Sequence, residues 1–470
     1  MLTRFPLLRS AFLAIAAASG LALQGAAPEA GGLFRANDRW LAVGDSITQN
    51  GAYAASVYLY YATRFPDRPL TAINAGISGD TASGALRRYE WDIRAQKPTV
   101  ATVMFGMNDV SRGNYGMEEV TPEIVARREA ALDSYRKNMR TLVTRLQADE
   151  VRVVLVTPSI FDDTAEGERP RQSGVNGALS QCADFMRELA TETGCSLIEL
   201  HEPMTRINAR LQAGDPLASV VGKDRIHPGA SGHLLMAYLL LKAQGAPRLV
   251  SHVEIDAASA RATSSENAAV SAVSKNEAEL TFTIKAGAIP YPFPNDASEA
   301  LEWAPLREEL NQETLRVTGL ETGAYALTID GQPVRSYTAA ELHAGVNLAA
   351  EKTTPQAKQA MEVLGLVRAW HKTLSSRLRV IPQVEFWHLK DIAQPVDFAA
   401  VRPRLEQQLA RLKESDASMD RYNRGIIERY LTAKAEESTA RRELADLEAR
   451  IRLEAKPRPR IYRLVPTPQP

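Results

Sequence analysis

Cysteine is almost missing from this chain: Cys182 and Cys195 are the two in 470 residues. Two thiols with no second pair of ligands at metal spacing make a poor metal site. A single bridge between them fails on reach. Residues 177–191 read as a helix that Gly194 ends, and Cys182 stands about ten residues before that end, roughly 15 Å away. A disulfide tolerates ~7 Å between Cα atoms. Net charge is missing too, since 56 Lys and Arg balance 56 Asp and Glu. No overall field draws the protein to nucleic acid or to an anionic membrane surface. Beyond Leu23 no apolar run is long enough to cross a bilayer, so no stable membrane insertion is expected.

The marked apolar run lies at the start. Arg4 and Arg9 precede Ala11–Leu23, which is short for a membrane span, and the small residues Gly25, Ala26 and Ala27 follow. That order predicts a signal peptide over residues 1–27. No cysteine stands there to carry a lipid anchor. The mature protein is therefore expected to be exported, to the periplasm or outside the cell.

What is present is an alternation. Strand-like runs at Trp40–Val43, Leu70–Asn74, Val100–Phe105, Val151–Val156 and Ser196–Leu200 are separated by helix-like stretches, with 230–243 closing the set. Such spacing predicts a parallel sheet with helices on both faces over residues 33–246. A parallel sheet gathers the loops after its strands on one edge, where ligands sit. Three of those loops carry Gly44-Asp45-Ser46, Asn74-Ala75-Gly76-Ile77-Ser78-Gly79-Asp80-Thr81 and Gly106-Met107-Asn108-Asp109. Before the last helix comes Asp224-Arg225-Ile226-His227-Pro228.

These residues suffice for acyl transfer to water, a chemistry that requires no metal or organic cofactor. Ser46 would attack a carbonyl, His227 would take its proton and pass it to the leaving alcohol, and Asp224 would orient the imidazole. The N–H groups of Ser46 and Gly79 and the amide of Asn108 would hold the oxyanion. Gly79 lacks a Cβ that would keep substrate from its N–H. Structural alternatives stand beside each role: Ser46 as a helix cap, Asn108 as a turn residue. Asp45, Asn74 and Asp109 read as loop-fixing residues, His233 as a surface or capping residue and His201 as structural.

The blocks GDSIT, NAGISGDT, GMND and DRIHP, in that order, resemble the SGNH (GDSL) hydrolase family. The resemblance covers roughly residues 35–245. It implies a flavodoxin-like three-layer α/β/α sandwich, with Ser46 as nucleophile, Gly79 and Asn108 as oxyanion donors, His227 as base and Asp224 as the third triad member. It also implies a range of simple esters as substrates. Export and two accessory regions favour removal of acetyl groups from a polysaccharide or oligosaccharide. Alternatives are a short-acyl or lipid esterase of lysophospholipase or thioesterase type, an O-acetyltransferase, and a non-catalytic glycan-binding protein. Arg112, Asn114, Tyr115 and the loop Thr157–Asp163 are expected on the catalytic edge.

Residues 247–350 read as a small β-rich region, with Asp330-Gly331 as a hairpin turn and Pro333 marking an edge. Few aromatics there favour a brace over a carbohydrate-binding module. Residues 351–456 read as helical, opening at Thr354-Pro355. One long helix is expected over 403–455, with a seam from Leu405 to Ile451 interrupted at Asp416, Asn423 and Glu437. A seam of that period is covered by the chain's own helices or by a second copy in a homo-oligomer. The tail, 457–470, reads as Pro-rich and extended.

Overall fold

The computed structural model describes residues 34–167, 170–277, 279–413 and 415–467, so the expected signal peptide lies outside the described residues. A first sheet is built from β1 (Arg39–Gly44), β2 (Thr71–Gly76), β3 (Val100–Met104), β4 (Arg152–Val156) and β5 (Ser196–Ile198), in the order β2-β1-β3-β4-β5. Every pairing in it is parallel. β1 is buried from Trp40 to Gly44 and β3 throughout, as strands covered on both faces must be. One face packs on helices Ala52–Arg64 and Ala230–Ala243 through Tyr58, Leu59, Leu235 and Leu241. The other packs on Pro122–Ala148 and Val175–Thr193 through Tyr135, Met139, Leu179 and Met186. The result is the three-layer α/β/α sandwich. Cys182 is buried and Cys195 partly so, both as free thiols.

The following segment forms two smaller sheets. β6 (Leu249–Asp256), β7 (Arg261–Glu266), β10 (Gln312–Thr318) and β13 (Val346–Asn347) make one, ordered β13-β10-β6-β7. β8 (Ala268–Asn276), β9 (Glu279–Ala286), β11 (Ala324–Ile329), β12 (Gln332–Thr338) and β14 (Arg460–Thr467) make the other, ordered β12-β11-β14-β9-β8. Val253, Ile255, Phe282, Leu327, Ile329, Tyr462 and Leu464 fill the space between them. β12 is an edge strand, and Asp330 and Gly331 turn into it at φ 51° and 74°. That is where Pro333, which lacks an N–H, does least harm. The tail differs from expectation. Instead of lying simply extended, it inserts between β9 and β11, burying Tyr462 and Leu464 on the core side while Arg463 and Val465 point out.

The C-terminal helices also differ. In place of one long helix there are three, Phe398–Leu412, Ser418–Ala435 and Glu437–Glu454. The breaks fall around Asp416 and just before Glu437, two of the polar positions that interrupt the apolar seam. Without an apolar residue to bury there, a straight helix gains nothing by continuing. Most of the seam is covered within the chain, although Met419 stays 65% exposed. Leu405, Ile426 and Tyr430 pack with Val380 and Val384, while Leu447 and Ile451 pack against the helix Pro355–His371. Thr354 caps that helix by accepting from the Ala357 N–H at 3.2 Å.

Candidate active site

β1 ends at Gly44, and Asp45 caps the short helix Ser46–Asn50 by accepting from the Ile47 N–H at 2.9 Å. The capping role thus belongs to Asp45, and the Ser46 hydroxyl is left to point elsewhere. Its Oγ lies 2.8 Å from Nε2 of His227. Nδ1 of the same ring lies 2.5 Å from Oδ2 of Asp224. An ionised carboxylate only accepts, so Nδ1 carries the proton and Nε2 offers its lone pair to the Ser46 O–H. Asp224 is itself held by the N–H groups of Ile226 and His227, at 3.1 and 3.0 Å, which the three-residue spacing makes possible. Partial burial opposes its charge, but the hydrogen bonds from the ring and backbone of His227 outweigh this and keep its pKa below the ordinary value.

The second and third loops are tied to each other. Gly79 adopts φ +78°, a backbone conformation that other residues rarely take, and is exposed. The Asn108 amide donates to the carbonyl of Asp80, the next residue, at 2.9 Å. Arg112 donates to Oδ1 of Asn108 at 3.3 Å and to the Met107 carbonyl at 2.6 Å. These bonds fix which end of the amide carries the hydrogens, and its second N–H has no acceptor among the described residues. Asp109 accepts from Ala82 and Gly106, at 2.9 and 3.1 Å, clamping the loops together. Desolvation raises its pKa to about 7, and raises that of Asp45 to about 6. All five predicted positions thus lie on the carboxyl edge of the sheet. Ser46, His227 and Asp224 are directly bonded in series, and Gly79 and Asn108 are joined through Asp80.

Several edge residues depart from expectation. Thr157 to Asp162 are buried rather than lining the cleft. The loop instead holds the Asp224–His227 segment, the Asp162 N–H donating to the Arg225 carbonyl at 2.9 Å. Tyr115 is buried under Arg128, whereas Arg112 and Asn114 line a groove of about 590 Å³ with Asn108, Gln172 and Ile226. Gln172 escaped sequence reading. His233 is neither surface nor cap. It is buried, stacks on Tyr53 and has its pKa lowered to about 3 by burial. His201 is buried, as a structural residue would be.

Sequence reasoning also missed a set of residues from beyond 370. Arg379 donates to the Gly76 carbonyl at 2.6 Å and grips both oxygens of Asp92, at 2.6 and 2.5 Å. Arg88 bridges Asp92 and Asp80, at 2.5 and 2.8 Å, completing a buried charge cluster beneath the Gly76–Asp80 loop. Burial works against Asp92, yet the two guanidiniums hold its pKa below the ordinary value. Gln49 accepts from the Ser78 N–H at 2.5 Å and donates to Gln383 at 2.7 Å. No local signal marks these pairs, whose members stand 303 and 334 residues apart in two cases.

Residues 42–235 match the GDSL-like Lipase/Acylhydrolase family. A solved structure described as a gut microbial diltiazem-metabolizing enzyme is 30% identical, with a TM-score of 0.84, covering 94% of this chain and all of that one. The chain belongs to the SGNH (GDSL) hydrolase family. An acetylxylan esterase from Geobacillus stearothermophilus is 25% identical over 223 residues, 44% of this chain and 94% of that protein. This SGNH hydrolase is accordingly a serine ester hydrolase. The likeness to the diltiazem-metabolizing enzyme extends over the later sheets and helices as well. Among the described residues, no helix of this SGNH hydrolase is long and apolar enough to cross a membrane, and no group of three or more His, Cys, Asp or Glu is placed to hold a metal.

Proposed function

We propose that the protein removes O-acetyl groups from a polysaccharide or oligosaccharide through an acyl-enzyme on Ser46. The observation that carries this reading is the series of contacts from Ser46 Oγ to His227, at 2.8 Å, and on to Asp224, at 2.5 Å. His227 takes the hydroxyl proton as Ser46 attacks the ester carbonyl, and Asp224 stabilises the imidazolium that forms. The backbone N–H groups of Ser46 and Gly79 and the second amide hydrogen of Asn108 receive the oxyanion. His227 then protonates the leaving sugar oxygen, and water repeats the sequence to release acetate.

The substrate class is supported by the groove beside Asn108. Arg112, Asn114 and Gln172 present polar groups suited to hydroxyls, and no long apolar channel for an acyl tail accompanies them among its lining residues. The related acetylxylan esterase acts on a substrate of that class. Export, with residues 1–27 removed, is part of the same proposal, since such glycans lie outside the cytoplasm.

Hydrolysis of a p-nitrophenyl ester series from acetate to palmitate, beside acetate release from acetylated xylan, tests it. Acetate is expected to be the best ester, and Ser46→Ala to abolish turnover. A peak at long chains would overturn the deacetylase reading in favour of a lipid esterase. N-terminal sequencing of secreted protein checks the cleavage near residue 27.

A further inference from the structure

The C-terminal helices reach the catalytic edge with one aromatic side chain. Trp387 lies at the end of the helix Val380–His388, and its indole N–H donates to the carbonyl of Ser78 at 3.1 Å. Its Cζ2 stands 3.8 Å from the point a Cβ would occupy on Gly79, and outside residues 78–80 no other described atom comes within 4 Å of that point. Trp387 is nonetheless 40% exposed, whereas the adjacent Phe386 is buried with the Arg87 guanidinium over its ring. A tryptophan bonded at its edge and open over much of its surface contributes little to a core. It is, however, held in register with the oxyanion loop.

We propose that Trp387 is a ring-binding subsite of the cleft, taking the apolar face of the pyranose that carries the ester. This rests on the O-deacetylase reading given above. A pyranose has a face of C–H groups with a slightly positive edge, and an indole has a negative π-face, so the two attract as aromatic pairs do. Gly79 has no side chain to keep a ring from the indole. The groove beside Asn108 supplies the complementary wall, with Arg112, Asn114 and Gln172 available to the hydroxyls. An apolar platform with a few convergent polar groups is the usual composition of a small-molecule site. Ser78 and Gly79 come from the hydrolase sandwich and Trp387 from a helix 309 residues later, so the subsite exists only in the complete chain.

The test uses the full chain and two acetates: ethyl acetate, which has no ring, and peracetylated methyl β-xylopyranoside. In Trp387→Ala, kcat/KM on the xyloside is expected to fall about tenfold more than on ethyl acetate, chiefly through KM. Trp387→Phe, which keeps a flat π-face, is expected to recover most of that difference. Equal losses on both acetates would make Trp387 a support for the Ser78 carbonyl and overturn the subsite. Loss on neither would place it outside the substrate's reach and overturn it as well. If Trp387→Ala does not fold, judged by thermal melting, Trp387→Met keeps the bulk without the ring and carries the same comparison. A wild-type protein active on ethyl acetate and inactive on the xyloside would instead overturn the deacetylase reading itself.

Discussion

The two flanks of the cleft are built in opposite ways. The flank at Asn108, Arg112 and Gln172 is made by the sheet's own loops, is polar, and opens to solvent. The flank at Gly76–Gly79 is backed by Arg379, Gln383 and Trp387, which arrive from far along the chain and fix the loop by carbonyl and side-chain bonds. On the first flank, local loop geometry suffices to place a donor. On the second, a buried charge cluster does that work. The contrast teaches that the accessory helices are part of what shapes the Gly76–Gly79 loop.

The largest effect is expected where the flanks meet. Ser46→Ala should lower kcat by about five to six orders of magnitude, as removal of a triad serine does; retained turnover after that change would remove Ser46 as nucleophile. Next comes the buried cluster. Arg379→Met leaves Asp92 short of a partner and should cost about 3–5 kcal/mol of stability, measured by urea unfolding. Because the same guanidinium holds the Gly76 carbonyl, kcat should fall with it at temperatures where the variant remains folded. A stable variant with full kcat would show the two flanks to be independent. On the open flank, Asn108→Ala should cost about 10²–10³ in kcat, with about 0.5–1.5 kcal/mol of stability lost as its bond to the Asp80 carbonyl goes. A loss of stability with kcat unchanged would make Asn108 a turn residue.

The smallest expected effect lies furthest from the cleft and depends on pH. Glu313 in β10 is buried, with the Gln356 amide donating to it at 2.8 Å, and burial raises its pKa to about 7. A carboxyl whose folded pKa exceeds its unfolded value contributes fully while protonated in both states. Stability is then lost as pH rises from the ordinary carboxylate range to about 7, by up to about 3 kcal/mol. Glu313→Gln should flatten that part of the stability profile. An unaltered slope between pH 5 and 8 would assign it to other groups, such as Asp109.

The series Ser46, His227 and Asp224 was legible in the sequence because its residues are set by local rules. Gly44-Asp45-Ser46 follows a buried strand, and the Asp224–His227 spacing lets one carboxylate accept from both ring and backbone. The alternation of apolar runs likewise announced the sheet. On the second flank Gly79 was legible but its backing was not, because an arginine on a distant helix carries no mark of the carbonyl it will meet. The same holds for the tail. Its prolines at 457 and 459 read as an extended exit, and only tertiary pairing with β9 and β11 turns the next residues into a strand. His233 was misplaced for a related reason: the helix starts exposed at Gly229 and Ala230, but by His233 the chain is already buried, with Tyr53 stacked on the imidazole.

The position of β14 has a consequence for biosynthesis. It is the middle strand of its sheet, and its Ile461 N–H donates to Asp330 across 131 residues. While the chain is being made, β9 and β11 have no strand to lie between them, and their inner edges stay unpaired until β14 emerges. Exposed edges of that kind invite pairing with other chains. The hydrolase sandwich can form early, because its five strands precede residue 200. The sheet that closes the molecule must wait, so a nascent chain needs protection at β9 and β11 rather than at its catalytic core.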